Sequence, residues 1–306
     1  MTLVLSLITE SWAIQVSDRR LVWLGANGEV VRKDDERNKA VLWCNRLAFA
    51  YTGLAELGPM REPTDEWLAR ELAEWWTRAD STEVSQDAIV AAIVDRATAA
   101  MGRPRIVRGI PPWLRRHAFV GVGWARFDGK GDMVPYVVQI HNHSAPGQQK
   151  PVHHEFGYAI HHLPSGDKPI FVNWVGQGLG PEEHRLEELK RGDPSSKEFG
   201  PYAAGVLVEI IRAVAARNRL VGRGVLVNAL PKWAIRPGSR ETVLLADAPL
   251  WEQLTFLHLP SDSKDPMVRG PLYVCEGRRM SGFQAWVPSP EEIRTMEEGA
   301  PPRFPA

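Results

Sequence analysis

Thr2 has more chemistry within reach than any other residue near the start of this chain. Initiator methionine is commonly removed when the next residue is small, and removal would put a hydroxyl nucleophile and an α-amine on one residue. That amine titrates near ~7.7–8.0 unperturbed, so it can take the hydroxyl proton directly or through a water. A hydroxyl elsewhere would need a separate histidine or lysine. Asp18-Arg19-Arg20 follows sixteen residues later, Lys39 opens a later apolar run, and Gly53 lies fourteen residues beyond Lys39. The plain alternatives are a threonine that merely opens a strand, and an Asp18–Lys39 surface ion pair.

Two other groups of residues offer chemistry. His141, His143, His153, His154, His161 and His162 crowd one stretch, and His141 and His143 would face the same way on a strand, as metal ligands must. Cysteine ligands and a second ligand set are missing from the pattern, so the expectation is no metal, with polar strand edges instead. Gly176-Gln177-Gly178-Leu179-Gly180 precedes a helix but lacks the Gly-Lys-Ser/Thr ending of a phosphate loop.

The elements that must position these residues come in alternating runs. Strand patterns cover Leu3–Ile8, Trp12–Val16, Leu21–Leu24, Glu29–Arg32 (joined through Ala26-Asn27-Gly28), Lys39–Cys44 and Leu47–Tyr51. Helices follow at Thr64–Arg78, with Trp67, Trp75 and Trp76, and after Ser85 as a cap, with Ile89, Ile93 and Ala97 on one face. Strands resume at His117–Ala125, Val134–Ile140, Phe156–His162 and Phe171–Val175. Two more helices span Glu182–Lys190 and Pro201–Arg217, the latter apolar nearly all round. Strands then run at Gly224–Leu230, Val243–Ala246, Leu254–Leu259, Leu272–Cys275 and Phe283–Val287. Strand runs separated by helix pairs predict an α+β fold with antiparallel sheets.

The set Thr2, Asp18, Lys39 and Gly53 resembles the proteasome-like family of N-terminal nucleophile hydrolases, in particular bacterial proteasome-related β-type subunits. That family has a threonine opening strand one, Asp-x-Arg after strand two, a lysine opening a later strand and a small-Gly-x-Ala segment, here Thr52-Gly53-Leu54-Ala55. The resemblance covers residues 2–55 by motif and the order of elements to about residue 230. It implies a four-layer αββα sandwich of two antiparallel sheets flanked by helix pairs. It further implies Thr2 as nucleophile and base, Lys39 as the cation beside the hydroxyl, Asp18 as the partner of Lys39, and the Gly53 N–H as oxyanion donor. Tyr51 and Ala55 would flank a substrate pocket narrowed by the tyrosine. Lys33 competes with Lys39, because the preceding hairpin is longer than in the family.

Three positions depart from the family pattern: Gln177 and Val221 stand where it has serines, and Asn218 where it has an aspartate. Two readings follow. One is a threonine-type amide hydrolase, a peptidase or amidase working through an acyl-threonine ester on a peptide or amide substrate. The other is a catalytically inactive scaffold subunit; a homo-oligomer, a ring or stacked dimers, is expected under both. Residues 1–239 are expected to form the main domain, with an inserted segment around 141–155. A strand-rich extension over 240–287 and a Pro-rich tail over 288–306 would follow.

Balanced charge, 37 basic against 37 acidic residues in a chain of 306, gives no field for collecting polyanions, so nucleic acid is not an expected partner. No apolar run approaches the ~20 residues of a membrane span, and the first residues lack a signal-peptide pattern, so no membrane and a cytoplasmic location are expected. Cys44 and Cys275 read as reduced thiols. Nothing calls for a cofactor.

Overall fold

The computed structural model describes residues 2–24, 29–35, 37–43, 46–57, 62–78, 86–103, 110–111, 115–125, 133–143, 154–164, 169–196, 198–232, 255–258, 267–269, 272–275, 278–280 and 284–286. The N-terminal strands are β1 (Leu3–Ile8), β2 (Trp12–Asp18), β3 (Leu21–Leu24), β4 (Val30–Asp34), β5 (Ala40–Trp43) and β6 (Leu47–Thr52). Two short strands, β7 (Glu56–Leu57) and β8 (Glu62–Pro63), lead into helices α1 (Thr64–Arg78) and α2 (Gln86–Met101). Four longer strands follow: β9 (Ala118–Ala125), β10 (Val134–His141), β11 (Gly157–His162) and β12 (Phe171–Gly176). A 3-10 turn at Gly180–Glu182, α3 (Glu183–Leu189), α4 (Phe199–Arg217) and β13 (Val225–Pro231) come next. The last described elements are β14 (Thr255–His258), β15 (Met267–Arg269), β16 (Leu272–Cys275), β17 (Arg278–Met280) and β18 (Gln284–Trp286).

These make an α+β fold. A five-stranded sheet runs β12-β1-β2-β13-β14, antiparallel throughout, and a seven-stranded sheet runs β11-β10-β9-β6-β5-β16-β17. In the second sheet only the β16–β5 pair is parallel. Strands beyond residue 254 thus extend both sheets. The turn at 25–28, Cys44, Ser85, the 243–246 strand and the 288–306 tail fall outside the described residues.

Side-chain alternation explains why β1 and β2 are buried along their whole length. Leu3, Leu5 and Leu7 of β1 join Ile14 and Val16 of β2 and Leu207, Ile210, Ile211 and Val214 of α4 in one apolar cluster. Val4 and Ile8 point the other way, into a cluster with Ala48 and Ala50 of β6 and Val120 and Val122 of β9. A third cluster sets Phe49, Tyr51, Phe119 and Val138 against Trp67, Leu72, Ile89 and Ile93 of α1 and α2. A strand covered on both faces reads as a nearly continuous apolar run, as Leu3–Ile8 does.

By length and composition α4 is apolar enough to cross a membrane. Its buried stripe, from Phe199 through Val214, instead packs on β2 and β13, while Glu209 and Tyr202 face outward. So it is buried on one side and not all round. It also starts two residues before Pro201, because a proline in the first turn removes an N–H that has no intrahelical partner anyway.

Leu5→Ala should lower unfolding free energy by about 2–5 kcal/mol, since Leu5 is fully buried and leaves a cavity. Val31→Ala, at a site 62 % exposed, should change it by less than about 0.5 kcal/mol. Urea unfolding followed by circular dichroism compares the two directly.

Candidate functional site

The β1–β2 hairpin and the approach to β5 bring three of the expected residues into contact. Lys39 is fully buried, and its Nζ lies 2.6 Å from Thr2 Oγ1 and 3.3 Å from Asp18 Oδ2. Nζ also donates to the backbone carbonyl of Arg20. Burial pulls the Lys39 ammonium below its ordinary value, and the neighbouring Asp18 carboxylate opposes that pull.

Asp18, also fully buried, ends β2. Its Oδ1 accepts the Leu3 N–H at 2.9 Å, and its Oδ2 accepts the N–H groups of Arg20 at 2.9 Å and Gly222 at 3.0 Å. One carboxylate therefore holds the start of β1, the bend after β2 and the loop after α4 around the lysine. Lys33, the competing cation, lies exposed on β4 opposite Val22. Lys39 is the lysine at Thr2.

Thr2 is 2 % exposed. Its N–H donates to Thr52 Oγ1 at 3.3 Å, and its carbonyl accepts the Gln177 N–H at 3.2 Å. One glycine makes room beside it, and a second makes room for the backbone just before β9. Gly176 has φ 111°, and a Cβ there would stand 1.8 Å from the Thr2 carbonyl oxygen. Gly53, next to Thr52, has φ 112°, and a Cβ would meet the Arg116 carbonyl oxygen at 2.2 Å. Only glycine fits either place. The glycine-rich turn at 176–180 thus receives the backbone of Thr2.

The pocket expectation does not survive for Tyr51. On β6 it alternates with Ala50 and Thr52, so its ring turns to the α1 and α2 side, where it is 2 % exposed and stacked on His117. Ala55 is half-buried, and its carbonyl accepts the Thr64 N–H at the start of α1.

The three departing residues sit together near Thr2. Asn218 Nδ2 donates to Gln177 Oε1 at 2.8 Å, and Asn218 Oδ1 accepts the Leu220 N–H. Val221 is buried in the α4 cluster, and its carbonyl takes Arg20 Nη1 at 3.0 Å. The Arg20 guanidinium is also clamped by Asp35, whose carboxyl it holds below the usual range.

Thr52, the Arg20 carbonyl and the Gly222 N–H are site groups that the sequence reading missed. Thr52 could have been found, because it shares the inward face of β6 with Ala48 and Ala50. Gly222, 204 residues from Asp18, carries no local signal.

Among the histidines, the rings of His141 and His143 lie 5.7 Å apart, and His161 stacks on Phe171. Among the described residues no group of three or more His, Cys, Asp or Glu is placed to hold a metal ion. His153 lies outside them.

No family model matches this chain, and no curated protein does. It is similar to solved structures of Anbu. A Gly-1 mutant from Hyphomicrobium sp. strain MC1 is 15 % identical, with 74 % of this chain and 80 % of that one covered and a TM-score of 0.46. Anbu, described as the ancestral beta-subunit, from Yersinia bercovieri is 14 % identical, covering 75 % and 82 %, at 0.42. A second Hyphomicrobium Anbu structure is 15 % identical, covering 75 % and 82 %, at 0.43. Anbu is proteasome-like but a distinct family. The expected kinship with bacterial proteasome-related β-type subunits of the N-terminal nucleophile hydrolases is corrected accordingly.

Asp18→Asn should destabilise the protein by about 3–5 kcal/mol near neutral pH, because it leaves a buried ammonium without its counter-charge. A lysine whose folded pKa is lowered takes up fewer protons folded than unfolded, so its contribution improves as pH rises toward its ordinary 10.5. The deficit of the variant against wild type should therefore shrink between about pH 7 and about pH 9.5 in paired urea titrations.

Proposed function

We propose that this chain is a threonine-type amide hydrolase, a peptidase or amidase that uses Thr2 after removal of Met1. The carrying observation is the fully buried Lys39 ammonium 2.6 Å from Thr2 Oγ1, held by Asp18. With Met1 gone, the Thr2 amine takes the proton from Oγ1 as the oxygen attacks the substrate carbonyl carbon. Lys39 stabilises the alkoxide and, by like-charge repulsion, keeps the amine unprotonated. The oxyanion is received by the Gly53 N–H. The proton then passes to the leaving nitrogen as the C–N bond breaks, leaving an ester on Thr2 that a water hydrolyses.

The same reading takes the three apolar clusters as the seams of a four-layer αββα arrangement, with α1 and α2 outside one sheet and α3 and α4 outside the other. It takes the active unit to be a homo-oligomer; light scattering that returns a monodisperse monomer would sink that part.

An inactive scaffold is the competing reading, and a specific observation favours it. Gln177, Asn218 and Val221 supply neither carboxylate nor hydroxyl beside Thr2. Intact mass separates the two readings. The hydrolase requires a protein lacking Met1, with a β-lactone or epoxyketone probe adding to Thr2. Thr2→Ala should abolish the adduct, Thr2→Ser should retain part of it, and Lys39→Met should slow its formation by about 100-fold or more. Uniform retention of Met1 would refute the proposal.

A further inference from the structure

An oxyanion donor at Gly53 must have its direction fixed by its neighbours, since glycine is the most mobile backbone unit. One side of it is tied to the sheet: Thr52 ends β6 in register with Ala118 of β9. On the other side, the Leu54 N–H donates to the Nδ1 of His117 at 3.0 Å.

His117 is fully buried and packed on three faces. Tyr51 stacks at 6.0 Å, Phe119 meets it edge-on at 4.6 Å and Phe156 at 6.1 Å. Its backbone is fixed as well. The His117 N–H donates to Asn142 Oδ1 at 2.9 Å, and Asn142 Nδ2 donates to the Arg115 carbonyl at 2.9 Å. Residues 116 and 117 are also the wall against which Gly53 presses, since an added Cβ would lie 2.8 Å from His117 Cα.

We infer that His117 is a positioning residue for the proposed hydrolysis, its Nδ1 locking the peptide after Gly53 so that the Gly53 N–H keeps its aim at the developing oxyanion. This inference rests on the hydrolase reading. Burial lowers the imidazole pKa to about 3, so the ring is neutral at working pH and Nδ1 stays an acceptor. Accepting at Nδ1 puts the ring proton on Nε2, which finds no hydrogen-bond partner among the described residues. A phenylalanine would remove both the acceptor and this cost, while adding the volume of a larger ring.

The test is therefore His117→Phe, which keeps an aromatic ring, somewhat larger, and removes the acceptor, beside His117→Asn, whose Oδ1 takes the place of Nδ1. Acylation of Thr2 by a β-lactone probe, followed by intact mass in full-length protein, gives the rate and the prior binding constant separately. The Phe variant should acylate about 30-fold more slowly, part of the loss seen when an oxyanion donor is removed, with binding unchanged. The Asn variant should recover to within about three-fold of wild type, though it packs worse and melts lower. Wild-type rates in the Phe variant overturn the inference, as do rates that follow melting temperature across the two variants. An unlabelled wild-type protein overturns the hydrolase reading itself, and with it the role given to His117.

Discussion

A buried ammonium sets the terms for this end of the molecule. Taking a lysine head group out of water costs several kcal/mol unless charge and hydrogen bonds replace the lost solvent. Lys39 is fully buried, and its replacements come from three directions: the Asp18 carboxylate, the Arg20 carbonyl and the Thr2 hydroxyl. Asp18 in turn needs its own oxygens satisfied, and it draws N–H groups from Leu3, Arg20 and Gly222. The start of β1, the end of β2, the approach to β5 and the loop after α4 therefore converge because the charges require it. No local propensity would bring those four segments to one point.

The same convergence leaves Thr2 with almost no freedom. Its N–H is held by Thr52 of the seven-stranded sheet and its carbonyl by Gln177 at the edge of the five-stranded one. The second contact runs past Gly176, whose missing side chain lets the Thr2 backbone pass at contact distance, while Gly53, next to Thr52, leaves the same room for the backbone of Arg116 and His117. Orientation fixed in advance is the part of a reaction barrier that a scaffold can remove most cheaply. On the proposed hydrolase reading it would be achieved here with backbone, so its cost would fall on folding.

How far the sequence disclosed this depends on the range of each interaction. Helix α1 was legible to the residue at both ends, because Pro63 and the spacing of Trp67, Leu68 and Leu72 are local signals. Asp18 was legible through its spacing from Thr2, and Lys39 through its spacing from Gly53 and the apolar strand after it, both as positions of the family resemblance; burial then distinguished Lys39 from the exposed Lys33. Tyr51 was misread because a motif offset of two residues from Gly53 says nothing about which face of β6 the side chain takes; alternation from Thr52 would have turned it toward α1. The parallel pairing of β16 beside β5 and the Gly222 contact to Asp18 join segments more than 200 residues apart, and nothing in the local pattern encodes either.

The departures at 177, 218 and 221 change the electrostatics of the site in a definite direction. Asn218 and Gln177 satisfy each other as amides and keep the Gln177 N–H on the Thr2 carbonyl, so the geometry is retained without a second carboxylate. Asp35 fills that role only in small part, since its carboxylate is paired with Arg20. Among the described residues the lysine is balanced chiefly by Asp18, with a smaller contribution from Asp35, and the Asp18 carboxylate is shared with three backbone donors. A free amine at residue 2 would feel the field of Lys39 with less opposing negative charge than an added aspartate would provide. Its protonation would be harder, and it would stay a base at lower pH, while a protonated amine on the way to the leaving group would be less stable. On the proposed hydrolase reading, that amine would be a weaker acceptor of the Thr2 Oγ1 proton during attack and, once protonated, a stronger acid toward the leaving nitrogen.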